Sequence, residues 1–268
     1  MKSKKLIVFI SILSVLLVLV ILNSTVFTLQ YVDINWLTTK NEMKNYKDYD
    51  IVDSVSTGGN IFLVKKDTIS EKLEKKYYYL RVVGIETKFP NKIVLHCAER
   101  EPMYAVDIGD GKYAVLDEVG KVLRIANSSI FADSDLDLGA RPIRVKFEGF
   151  ALSADNFVLG EIVKVDRVAN LLNNLSYTLR ESNYMPTTSK GVFNNISIVS
   201  SGETSEINLQ TRNGMLMKLI DAEDYTTDKF LLALERYNTY HKDGVVEGTI
   251  EVWYNENIGK IFARYYVE

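Results

Sequence analysis

Glu99 and Glu101 flank Arg100 near the end of the stretch KFPNKIVLHCAEREPMYAV, residues 88–106. Alternate residues of a continuing β-strand share one face, about 6.6–6.8 Å apart. Two carboxylates at that spacing suit a hydrolase that works with paired acids. The same three residues suit a solvated, salt-bridged strand end equally well. No other nearby residue supplies a cleft or a substrate platform, so the charged edge is the favoured reading.

The other residues able to do chemistry are few. His96 and His241 lie 145 positions apart, and no CxxC or HExxH spacing occurs, so no zinc site is expected. Phosphate loops, dinucleotide fingerprints and nucleophile elbows are missing as well. The sequence therefore assigns no catalytic, cofactor-binding or metal-binding residue, and no cofactor is expected. Cys97 is the single cysteine, which excludes an intramolecular disulfide. It alternates with Ile93 and Leu95 and reads as a small core hydrophobe.

Aromatic residues are the remaining candidates. Tyr77-Tyr78-Tyr79 close a helical pattern and read as core-wrapping residues. Near the carboxy terminus, strand alternation sets Phe262, Arg264 and Tyr266 on one side and Ile261, Ala263 and Tyr265 on the other. A terminal strand this aromatic is either a buried closing strand or an open edge that receives a partner strand.

The elements that must position these residues follow from periodicity. Lys2, Lys4 and Lys5 precede an uncharged apolar run, Leu6–Leu22. Its length and flanks predict a transmembrane helix over 6–26, with residues 1–5 as a cytoplasmic tail and the rest extracytoplasmic. A cleaved secretory signal is the weaker reading, because NSTVFTLQ lacks a small-x-small cleavage pattern. A strand is expected over Phe27–Ile34 and a weak polar helix within 37–50. Gly58-Gly59-Asn60 breaks the chain, and a helix capped by Asp67 carries Ile69, Leu73 and Tyr77 on one face. Strands Arg81–Lys88 and Lys92–Glu99 are joined through Phe89-Pro90-Asn91. Strand, helix, helix, strand, strand is a small α+β domain over 27–101.

Beyond Pro102 short strands recur at Tyr104–Val106, Lys112–Leu116, Val122–Ile125 and Ile143–Phe147, with a loop including Gly139 between the last two. An apolar stripe through Ile162, Val165, Val168, Leu172, Leu175 and Leu179 predicts a helix over Glu161–Leu179. Strands Phe193–Ser200, Glu206–Thr211 and Met215–Ile220 follow, the last two joined by an Asn213-Gly214 turn. A second helix is expected over Thr227–Tyr240, then strands Val246–Tyr254 and Lys260–Val267. Residues 102–268 thus read as a mixed α/β domain with a largely antiparallel sheet and two helices.

The 268 residues carry a formal charge of −3, and without the three amino-terminal lysines 29 basic residues face 35 acidic ones. That balance argues against nucleic acid as a partner.

The order of parts resembles the FtsQ/DivIB family of bacterial cell-division proteins. The motifs that carry the resemblance are Val82-Val83, Pro90-Asn91, the strand Ile93–Ala98, Glu99-Arg100-Glu101-Pro102, Ala105 and Asp117-Glu118-Val119-Gly120. Weaker echoes are Asp228-Lys229-Phe230 and Ile250-Glu251-Val252. The resemblance implies that 27–101 is a POTRA domain and that Pro90, Asn91, Glu99, Arg100 and Pro102 mark its last strand and hinge. It implies a non-enzymatic scaffold at the division septum, single-pass in the membrane, with FtsL-like and FtsB/DivIC-like partners and a link to septal peptidoglycan synthesis. Partner binding falls on Ile261, Phe262, Ala263, Arg264, Tyr265 and Tyr266. An envelope export or assembly factor and a membrane-anchored cell-wall hydrolase are the alternatives.

Overall fold

The computed structural model describes residues 2–38, 46–131, 141–181, 192–245 and 247–267. The expected loop residue Gly139 and half of the expected polar helical segment, at 39–45, lie outside the described residues. The chain divides into two compact units, Met1–Arg100 and Glu101–Glu268.

The first unit opens with helix α1 (Lys2–Thr25). Among the described residues no helix is long and apolar enough to cross a membrane. This corrects the expected fold class, which placed a transmembrane helix over 6–26.

After α1 come β1 (Tyr31–Trp36), α2 (Asp48–Asp53), α3 (Lys66–Lys76), β2 (Leu80–Lys88) and β3 (Lys92–Glu99). The sheet order is β1-β3-β2, with β1 parallel and β2 antiparallel to the central β3. Ile93, Leu95 and Cys97 all point into the core with Leu29, Ile51, Leu73 and Leu80. The first strand begins four residues later than periodicity predicts, because residues 27–29 instead bond to the Gly59–Ile61 segment. Asp67 lies inside the first turn of α3 and does not cap it. Tyr77 is buried at the end of α3, where its hydroxyl donates to Asp50 O at 2.7 Å.

The second unit is built on nine strands. They are β4 (Tyr104–Gly109), β5 (Lys112–Leu116), β6 (Val122–Asn127), β7 (Ile143–Glu148), β8 (Phe193–Ser201), β9 (Thr204–Thr211), β10 (Leu216–Leu219), β11 (Thr249–Asn255) and β12 (Lys260–Tyr266). Their order is β12-β11-β10-β9-β8-β7-β4-β5-β6. The β4–β7, β7–β8 and β10–β11 ladders are parallel and the other five are antiparallel, so the sheet is mixed with antiparallel pairing in the majority. Helices α4 (Asp166–Glu181) and α5 (Thr226–Lys242) lie in the connections of the parallel β7–β8 and β10–β11 pairs, while β4 reaches β7 through β5 and β6.

The register sends Val145, Ile196, Leu209, Met217 and Ile250 to one side, where they pack against Val168, Leu172, Leu175, Phe230 and Leu234 from the helices. The opposite side carries Lys146, Ser197, Asn208 and Lys218 in a polar row. The helix expected from Glu161 starts at Asp166. Ile162 instead bridges to Lys121, while Val122 N donates to Glu161 O and Gly160 N to Val122 O, so the first residues of β6 are already paired on their outer side. In the 117–120 turn Asp117 Oδ1 accepts from Val119 N and Lys121 N, and Gly120 takes the positive φ of 82°.

Leu175 lies in the middle of the apolar stripe of α4 and is fully buried. Leu175→Ala should therefore lower unfolding free energy by about 2–5 kcal/mol. Urea denaturation of the full chain, followed by tryptophan fluorescence and circular dichroism, checks this.

Candidate functional site

The terminal hairpin of the second unit gathers the sequence-predicted partner residues. Asn255 Oδ1 accepts from Asn257 N at 3.1 Å, and Gly259 takes a φ of 67°, which together turn the chain back as β12. Seven residues pair antiparallel with β11, from Asn255 with Lys260 to Thr249 with Tyr266. Among the described residues β12 has no second strand partner, so its outer backbone groups form one margin of the sheet.

The two sides of β12 differ as alternation dictates. Ile261, Ala263 and Tyr265 pack inward against the helix-covered core. The Tyr265 ring lies 4.4 Å from that of Tyr240 on α5, and its hydroxyl donates to Glu247 O at 2.7 Å. Gly248 makes this close approach possible. Its φ is 114°, and a Cβ there would lie 2.5 Å from Tyr265 Cε2. Further along, Tyr225 stacks on Tyr254 at 4.5 Å, beside Ile261.

Outward, Phe262 stacks on Trp253 at 6.1 Å and 24°. The Arg264 guanidinium lies 5.7 Å from the Trp253 ring and 5.4 Å from the Tyr266 ring. Its Nε donates to Glu251, the residue directly opposite on β11. Glu251 is 13% exposed and Arg264 62% exposed, so the pair is covered on the inner flank and open at the margin. Rigid aromatics around an arginine are the surface chemistry that contributes most at protein interfaces.

The motif residues are placed elsewhere and hold structure together. Pro90 and Asn91 form the turn between β2 and β3, where Asn91 O accepts from Gln30 N at 2.8 Å. The Arg100 side chain is 10% exposed and its Nη2 pairs with Glu74 Oε2 at 2.7 Å. Its Nε donates to Leu80 O, while Glu74 Oε1 accepts from Val82 N. Arg100 thus ties β3, β2 and α3 together, which corrects the expectation of a solvated ion pair with its neighbours. Glu99 ends β3, Glu101 is exposed beyond it, and the two carboxylates do not share a strand face. Pro102 is buried at the start of the second unit. Among the described residues no group of three or more His, Cys, Asp or Glu side chains is placed to hold a metal ion.

Sequence reading passed over Trp253 and Gly248, and named Glu251 only within the Ile250-Glu251-Val252 echo, with no partner for it. The alternation of Val246–Tyr254 already put Glu251 and Trp253 on one face, but their cross-strand partners needed the register. It also passed over a clasp beside the β8–β9 turn. There Arg167 at the start of α4 donates to Glu223 Oε1 at 2.7 Å, to Ser200 Oγ, to Ser205 Oγ and to Gly202 O. Burial pushes the Glu223 carboxyl up, but hydrogen bonds from Ser205 and Arg167 outweigh it and leave the group below its ordinary value. Lys229 is fully buried, and its Nζ donates to Ile220 O at 2.8 Å and Asp221 O at 2.7 Å. Burial pushes its pKa down, against the pull of Asp221, Asp224 and Glu223.

Over 223 residues the chain is 26% identical to the cell division protein DivIB of Clostridium tetani (strain Massachusetts / E88), covering 80% of this chain and 74% of that protein. The similarity suggests a distant FtsQ/DivIB-like relationship. No family model matches the chain.

Two outcomes follow for this region. Gly248→Ala should destabilise the hairpin by about 1–3 kcal/mol, through strain at positive φ and displacement of Tyr265. Limited proteolysis should then release the terminal strand faster than in the parent chain. For Glu223, a lowered folded pKa means that its stabilisation is complete above the ordinary value of 4.5 and fades as pH falls through the folded value. The urea midpoint of the parent should drop on acidification below about pH 4.5. Glu223→Gln should start lower at pH 7 and fall less steeply over the same range.

Proposed function

We propose that this chain is a non-enzymatic scaffold of the bacterial division machinery, of the FtsQ/DivIB type. The observation that carries the reading is the open margin at β12, with Phe262, Arg264 and Tyr266 displayed outward from a strand pinned inward by Tyr265. The similarity to DivIB along most of both chains supports a role in cell division. In this reading the first unit, after α1, is a POTRA domain, and Pro90, Asn91, Glu99, Arg100 and Pro102 maintain its last strand and the passage into the second unit. The protein works at the division septum in association with the membrane, with its folded units on the outer side. Its partners are FtsL-like and FtsB/DivIC-like division proteins, and through them it influences septal peptidoglycan synthesis.

Binding follows from the geometry of the margin. A partner segment in extended form pairs its backbone with the outer groups of Lys260–Tyr266, and side chains on both faces supply selectivity. Arg264 and Tyr266 are contact residues, and Tyr265 positions the strand. The hydrolase reading loses its premise because Glu99 and Glu101 do not share a strand face.

Deleting residues 260–268 should leave the first unit folded, as judged by protease resistance of the 27–100 region. It should abolish co-purification of the division partners from cells that make the chain at native level. Normal recovery of those partners would refute the edge reading. A fluorescent fusion at Met1 should gather at midcell before constriction, and a uniform envelope signal from a functional fusion would refute the septal assignment.

A further inference from the structure

We propose, building on the membrane association stated above, that Phe27, Phe62, Leu63 and Phe89 form a foot by which the first unit rests on a lipid surface. The foot sits in the boundary between headgroups and acyl chains and fixes which end of the unit meets the lipid.

Segments far apart in the chain are held together at this end by hydrogen bonds. The chain leaves α1 at Thr25 and reaches Phe27 two residues later. Phe27 O accepts from Ile61 N at 2.8 Å, which brings the short 3-10 turn Ile61–Leu63 beside it. Asn60 Oδ1 caps that turn by accepting from Phe62 N at 2.8 Å. Gln30 N donates to Asn91 O at 2.8 Å, which draws in the Phe89-Pro90-Asn91 connection between β2 and β3. The rings then form a row, with centres 5.2 Å apart from Phe27 to Phe62 and 5.1 Å from Phe62 to Phe89. Phe27 packs partly on the core, and Ile61 is buried within it. Phe62, Leu63 and Phe89 are 59%, 78% and 60% exposed, so the outer part of the row adds nothing to that core.

Continuity and charge name the occupant. The run Leu6–Leu22 in α1 carries no charge and only two serines, and its large apolar side chains from Val8 to Val18 are exposed. A helix apolar on every side belongs in an apolar surrounding, and lipid supplies it here. The foot begins where that helix ends, with Val26 also exposed between the two. Lys65 and Lys66 follow Leu63 closely, Lys88 precedes Phe89, and all three are exposed. Anionic headgroups complement such a fringe, while the apolar side chains inside it enter the layer below.

The test uses the full chain, α1 included, in nanodiscs of phosphatidylcholine and phosphatidylglycerol, with the fluorophore NBD on an introduced cysteine. Leu63→Cys reports on the foot. Lys75→Cys reports on the far end of α3, about 14 Å along the helix from Lys66. Cys97 is buried, and the parent chain taken through the same labelling supplies the blank. Lipids doxyl-labelled about 5–10 Å below the headgroups should quench roughly half the emission at position 63 and none at 75. Phe62→Asp combined with Phe89→Asp should abolish that quenching while circular dichroism stays unchanged. In phosphatidylcholine alone the quenching should weaken, and an unchanged value overturns the part given to the lysines. A parent chain that fails to float with vesicles of the same lipids overturns the membrane reading itself. A chain held by the disc with position 63 unquenched overturns the foot alone and assigns the cluster to a protein partner. Equal quenching at 63 and 75, or quenching that survives the double substitution, also overturns the foot.

Discussion

The packing of Tyr265 against Tyr240 and over the bare Cα of Gly248 determines which way the last strand faces. A slip of one residue would send Tyr265 outward and bring Arg264 against the helix-covered core, where an unpaired charge is costly. With Tyr265 held by its ring contact and its hydrogen bond to Glu247, the alternation along β12 has only one acceptable phase. Phe262, Arg264 and Tyr266 then share the solvent side by necessity. The display at the margin is thus a consequence of burial on the opposite face.

That burial depends in turn on how α5 is seated. Lys229 at its start is buried among backbone carbonyls at the end of β10, and Phe230, Ala233, Leu234 and Tyr237 fill the space over the sheet. Just before the start of α5, Glu223 and Arg167 draw α4, the β8–β9 turn and the loop before α5 into one hydrogen-bonded group. Polar contacts set the ends of the helices, while apolar stripes supply most of the cohesion.

Much of this was legible from periodicity. The stripe of α4, the apolar run of β3, the Asn213-Gly214 turn and the inward and outward sets of β12 all follow from side-chain spacing alone. What spacing does not contain is the partner across a ladder. Glu251 faces Arg264, and Lys218 faces Glu251, only because a parallel β10–β11 pair was built through α5. Arg100 shows the same limit in the first unit. Its sequence neighbours are two acids, yet its partner is Glu74, twenty-six positions away, because the carbonyl of Leu80 and the carboxylate of Glu74 converge where β3 ends. The late start of α4 has a local cause, since residues 160–163 are committed to β6 and Lys121 before the helix can begin.

The two margins of the large sheet are unequal, and this has a consequence for self-assembly. Edge-to-edge polymerisation requires every molecule to offer two receptive borders, one to join the molecule before it and one to join the next. Here one border is β12, while at the other Val122 is already engaged by Gly160 and Glu161. A segment approaching β6 therefore meets an occupied first residue, whereas one approaching β12 meets none among the described residues.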